Sequence, residues 1–163
     1  MPTQGLVYAC LAVGLAAALV GGVFQSFSDF VMRGLVLAAP AGGMESMQHI
    51  NRTVFRSVFL ASFLALVPVT IGFAIYAGLR LEGPARSLLL AAAVVYVLSV
   101  FVVTVGGNVP MNERLDGLEH TAAEGHRYWA HYGRVWTWWN HVRTIGSVVT
   151  AVCYLLAAVS IPL

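Results

Sequence analysis

Apolar residues fill four long stretches of this 163-residue chain, and polar residues gather at the ends of those stretches. A helix needs about 20 mostly apolar residues to cross a bilayer. Residues 6–23 meet that need, and the helix is expected to continue through Asp29 and Arg33 toward residue 39, ending before Pro40. Residues 54–79 form a second span, with Pro68 expected to kink it. Residues 87–105 form a third, stopped by Gly106-Gly107 and Pro110, and residues 142–161 a fourth. The Gly-Pro pair at 83–84 makes the second connection a tight turn. The pattern predicts an all-α, integral-membrane, antiparallel four-helix bundle, a single domain over 1–163. Gly14, Ala18 and Gly22 form a small-residue ridge on which a neighbouring helix could approach closely. The first stretch lacks a basic leader and runs on as helix beyond Gly21-Gly22, so it reads as a retained span rather than a signal peptide.

One hydrophilic segment, 120–139, carries Tyr128, Trp129, Tyr132, Val135, Trp136 and Trp139 at helical spacing, with Glu124, Arg127, His131 and Arg134 mostly away from them. This predicts an additional interfacial amphipathic helix anchored by aromatics at headgroup depth, placed so that it could roof the bundle.

Composition agrees with a membrane protein. The chain is 59% hydrophobic and 10% charged, against roughly 25% charged residues in soluble domains. All nine basic residues are Arg, the net charge is +2, and no basic run suggests a nucleic-acid partner. Cys10 and Cys153 lie inside apolar stretches and read as packing residues, with a thiol metal site as the alternative. Arg33, Arg52, Arg56, Arg114, Arg127, Arg134 and Arg143 fall on the side of the two long connections, and only Arg80 and Arg86 on the other. The positive-inside rule puts the long connections in the cytoplasm and both termini outside.

The polar residues at the span ends are paired at helical spacing: Gln25/Asp29, Gln48/Asn51/Arg52, Asn108/Asn112 and Asn140/Arg143/Thr144. Residues three or four apart share a helix face. Amides and charges near hydrocarbon are costly unless they meet each other or a ligand. All four groups fall at the same membrane face, which points to one polar pocket there. Two Asn beside Pro110, which lacks an N–H, could cap freed backbone groups or bind a ligand. Arg143 enters an apolar span and must find a partner or snorkel; Asp29 is the obvious carboxylate, in a structural pair or with a catalytic role. The histidines at 120, 126, 131 and 141 do not fall at the i, i+4 spacing of helical metal ligands, and read as exposed or interfacial. A haem between facing helices is the alternative cofactor, with His141 and His49 as the first ligands to try.

Four segments in order, Phe-Ser-Asp-Phe-Val-Met, Met-Gln-His-Ile-Asn-Arg, Gly-Asn-Val-Pro-Met-Asn and Trp-Asn-His-Val-Arg-Thr, resemble the anthrone oxygenase family of small four-span membrane proteins. The resemblance covers nearly the whole chain. Its best-described members oxidise anthrones to anthraquinones with O₂, whereas most bacterial relatives have no assigned reaction. The expectation is an integral-membrane oxidoreductase, placed in a bacterial inner membrane, acting on a lipophilic aromatic, anthrone- or polyketide-like substrate. The cofactor is left open, none beyond O₂ or a haem, because family membership does not carry the substrate or the reaction. The resemblance marks His141, Arg143, Asn108 and Asn112 as catalytic candidates. Asp29, Gln48, Asn51, Asn140 and Trp139 are the candidates for substrate binding. On that reading His141 is the base, and Arg143 with Asn108 or Asn112 stabilises the phenolate.

Two other classes compete: a haem- or metal-binding redox carrier, and a non-catalytic binding or transport module. A through-path would need polar residues along the span interiors, where only isolated Ser and Thr occur, such as Ser62, Thr70, Ser99 and Thr150. The expected partners are the bilayer and a lipophilic small molecule, with a homo-oligomer left open.

Overall fold

The computed structural model describes residues 3–162, and these are helical almost throughout. Five helices follow one another: α1 (Thr3–Leu37), α2 (Pro40–Thr53), α3 (Val58–Arg80), α4 (Gly83–Asp116) and α5 (Ala123–Ser160). All but α2 are long and apolar enough to cross a membrane. Around the bundle the order is α1, α5, α4, α3, and each of these neighbours runs antiparallel to the next.

Length decides the architecture. At 1.5 Å per residue, α3 is about 35 Å long, enough for a bilayer, whereas α1, α4 and α5 run about 50–57 Å. Their surplus turns continue beyond the end of α3 and gather, with α2, into a cap. Its core is Met32, Met44, Met47, Leu115, Tyr128, Trp129, Tyr132 and Trp136. Gln48 of α2 ties the cap to the end of α4. Its amide nitrogen donates to Leu115 O (2.8 Å) and Leu118 O (2.9 Å), carbonyls at and just past the helix end, where the regular ladder runs out. Gly43 lets α2 touch the end of α1, since a Cβ there would collide with Leu35 O.

Several expectations shift. The aromatic segment is not a separate helix lying on the membrane. It is the first half of α5, continuous with the fourth span from Ala123 to Ser160. Nothing between Trp139 and Val142 breaks a helix, and Tyr128, Trp129, Tyr132 and Trp136 are buried in the cap. The third span does not stop at 105. Wide π turns over Tyr96–Val102 and Thr104–Asn108 carry the chain past Gly106-Gly107, and Pro110 falls in the first turn of the α-helical segment Val109–Asp116, where its missing N–H costs little. The second span starts at Val58, because Ser57 caps it: its Oγ accepts from Leu60 N at 3.1 Å. Pro68 lies inside α3 without ending it.

The close-packed face of α1 is Cys10, Gly14, Ala17 and Gly21, all buried, rather than Gly14, Ala18 and Gly22. A Cβ on Gly14 would stand 3.3 Å from Tyr154 and Leu155 of α5, and one on Gly21 would stand 3.1 Å from Ser147. Small residues line the far end of the bundle as well: Cys10, Ala77, Ala85, Ala92, Ala157 and Ala158. There the helices close on one another.

Candidate functional site

Where the span region meets the cap, the helices do not close. A cavity of about 280 Å³ opens there. Its walls are aromatic and aliphatic: Phe24 and Phe27 of α1, Phe59, Leu60 and Phe63 of α3, Ile50 of α2, and Trp136 of α5. Its buried polar end is Asn140 and Arg143, both on α5, with Thr104 of α4 beside them. Asn51 and Asn112 also line it. The exposed lining residues Val23, Arg52, Phe55, Glu113 and Asp116 mark its mouth.

Asn140 and Arg143 sit one turn apart, and each fixes the other. Arg143 Nη2 donates to Asn140 Oδ1 at 2.6 Å. The Asn140 amide nitrogen donates to Phe24 O (2.6 Å) and Ser28 Oγ (2.7 Å) on α1. Both bonds fall beside a π turn over Phe27–Val31, a widened turn of the kind that often accompanies function. The amide is thereby fully used, and its orientation is set by its partners.

Arg143 is 6% exposed and lies between two rings, with its Cζ 4.4 Å from the Phe24 centroid and 5.1 Å from the Trp136 centroid. Among the described residues its one other side-chain hydrogen bond is a long one to Thr104 Oγ1 at 3.5 Å, and its Nε has no hydrogen-bond partner. Among the described residues no carboxylate pairs with it. The single ion pair there joins Arg52 Nε and Asp116 Oδ1 at 2.7 Å across the mouth. A buried cation satisfied by one amide oxygen and two ring faces is electrostatically incomplete.

The second amide is held differently. Asn112 Oδ1 accepts from Tyr132 OH and from Trp136 Nε1, both at 2.8 Å. With its oxygen so occupied, Asn112 is left to offer N–H groups. Asn51 Nδ2 is likewise without a partner. Donors from α2, α4 and α5 therefore meet around one cavity.

The sequence-derived candidates divide. Asn51, Asn112, Asn140 and Arg143 converge on the cavity. Asn108 is buried but serves to join α4 to α5, its Nδ2 donating to Trp136 O at 3.2 Å. Gln48 braces the cap, as described. Trp139 packs over Gly107, where a Cβ would come within 3.1 Å of its ring, and not in the cavity. Asp29 is exposed beside the groove between α1 and α5, so the expected Asp29–Arg143 pair is absent. The π turn holding Asp29 alters the register that the spacing assumed.

His141 is exposed on the outer face of α5, away from the cavity, and His49 is exposed on α2. Neither lines the cavity, so neither stands where a haem or a base in that cavity would need it. Among the described residues no three His, Cys, Asp or Glu side chains gather as a metal site would require. Missed from sequence were Trp136, Phe24, Thr104 and Glu113. Trp136 was findable, since it lies four residues before Asn140 and seven before Arg143, on the same helical face.

Fold and site together define an integral-membrane helical bundle with an apolar cavity ending in a buried amide–guanidinium pair. Residues 44–153 match the family model for anthrone oxygenase, and the chain belongs to that family. The matched region runs from α2 into α5 and supplies every cavity wall except that of α1. Comparison with curated proteins and with solved structures gave no match.

Proposed function

We propose that this protein is an integral-membrane oxygenase that converts a flat, lipophilic, enolisable aromatic ketone of the anthrone type to the corresponding quinone. The observation that carries this reading is Arg143, a buried guanidinium without a carboxylate partner at the polar end of an aromatic-walled cavity. At about 280 Å³ the cavity lies at the small end of ligand pockets, which suits a compact fused-ring substrate.

The reaction replaces a ring CH₂ by C=O, consuming O₂ and releasing water. Loss of one CH₂ proton moves negative charge onto the ketone oxygen. Arg143, held in place by Asn140, meets that charge, and Asn112 adds an N–H donor. Preorganised donors in a dry site are worth most where charge develops. Glu113, the lining carboxylate outside the Arg52–Asp116 pair, accepts the proton. The electron-rich anion then transfers an electron to O₂. Recombination and protonation give a hydroperoxide, which loses water to leave the carbonyl. We place the cap in the cytoplasm, a reading supported by the arginine excess on the cap side.

The test is turnover of an anthrone under O₂ by the protein in detergent, followed by quinone absorbance. Wild-type turnover that falls by about 10²–10³-fold in Arg143→Gln, with the helical fold retained, is the expected result. Wild-type protein with no turnover, or an Arg143→Gln variant with full turnover, overturns it.

A further inference from the structure

The incomplete electrostatics of Arg143 have a consequence that does not need oxidation. Desolvating a guanidinium is costly, and a buried cation is ordinarily paired. Here the protein supplies an amide oxygen at 2.6 Å, a hydroxyl at 3.5 Å and two ring faces, all uncharged. The Nε is left over, as is Asn51 Nδ2, and Asn112 has its oxygen fully occupied. The lining carboxylates are at the exposed mouth, where Asp116 is already neutralised by Arg52. The buried end thus combines one uncompensated positive charge, surplus donors and flat apolar walls.

We infer that the cavity is an anion site for ionised aromatic acids, taking phenolates, enolates and arenecarboxylates as the missing counter-charge of Arg143 in preference to their neutral forms. The inference deepens the reading above by naming the charge state of the ligand, and it rests on that reading only for the cavity being the ligand site. A quinone product bearing an acidic hydroxyl is held on the same cation as the enolate, so it competes with substrate.

Alizarin, a hydroxyanthraquinone that changes from yellow to red-violet on losing a proton, reports this directly. It is titrated spectroscopically with the detergent-solubilised protein and with protein-free micelles. The expected result is an ionisation midpoint at least about one pH unit lower with wild-type protein. That shift corresponds to about tenfold tighter binding of the anion than of the neutral dye.

In Arg143→Gln the lowering disappears, whereas Arg143→Lys, which keeps a cation, retains part of it. In Arg52→Gln, which removes only the cation at the mouth, the lowering persists. An unchanged or raised midpoint with wild-type protein overturns the inference, as does failure of the dye to bind. So does a shift lost in Arg52→Gln, which would put the anion on the rim. Should Arg143→Gln not fold, the wild-type and Arg52→Gln titrations still decide. Anthrone turnover is read separately: a midpoint shift without turnover removes the oxygenase reading alone, and turnover without a shift removes this inference alone.

Discussion

The two ends of the bundle are built from different residues, and the cavity exists because of that difference. At the far end Cys10, Gly14, Ala77, Ala85, Ala92 and Ala157 let the backbones approach until little space remains. At the cap end Phe24, Phe59, Phe63 and Trp136 hold the same helices apart. T-shaped contacts of Phe24 with Phe59 at 5.3 Å and Phe63 at 6.3 Å fill part of the gap but not all of it. Small residues close a membrane bundle by van der Waals packing. Large rings prop it open, and the polar groups that hydrocarbon would reject are gathered where it opens. Close packing and the candidate site are thus separated along the helix axes.

Substitutions can break or sharpen that separation. The largest effect is expected from Arg143→Gln, which should lower kcat by about 10²–10³-fold, the usual consequence of losing an oxyanion donor, while thermal stability in detergent changes far less. Asn140→Ala should strike both ends of the comparison. It removes the bonds to Phe24 O and Ser28 Oγ and leaves the guanidinium without its close acceptor. A stability loss of about 2–4 kcal/mol, read from the thermal midpoint, is expected alongside lost turnover. Gly21→Leu should act on the closed face alone. A side chain forced against Ser147 should cost about 1–3 kcal/mol, with kcat of the surviving folded protein retained. Glu113→Gln, at the mouth, should reduce kcat by about 10²-fold if it is the proton acceptor, without moving the thermal midpoint. The smallest effect is expected from His141→Ala, which should leave both turnover and stability within about twofold and 0.5 kcal/mol, as for an exposed side chain remote from the site. A large loss of kcat there would contradict the placement of the site.

The four spans were legible because hydrocarbon leaves a strong, simple pattern. The pairing of Asn140 with Arg143 was legible for the same kind of reason, since helical spacing puts residues three apart on one face, and the 2.6 Å bond follows. What failed was anything depending on where a helix bends or widens. A polar aromatic segment reads alike whether its helix turns onto the membrane or runs straight out of it, so α5 was divided in two. The π turns over Phe27–Val31 and Thr104–Asn108 depend on tertiary packing, and they carry Asp29 off the site face and the third helix beyond its expected stop. His141 suggests itself by residue type alone. Its neighbours Asn140 and Arg143 face inward, and 100° per residue turns His141 away.

Under the proposed function, the rim of the cavity would set how the protein meters a lipophilic ligand. Phe55, 77% exposed, and Val23 form an apolar side of the mouth beside the charged Arg52 and Glu113. On the function proposed above, a ligand dissolved in lipid would arrive along that apolar side, drawn from a thin two-dimensional reservoir. The quantity that saturates the site would then be the ligand's mole fraction in the membrane, not its concentration in water. Adding inert lipid or detergent at fixed total ligand would dilute that surface and slow turnover, even though every solution concentration on the label is unchanged.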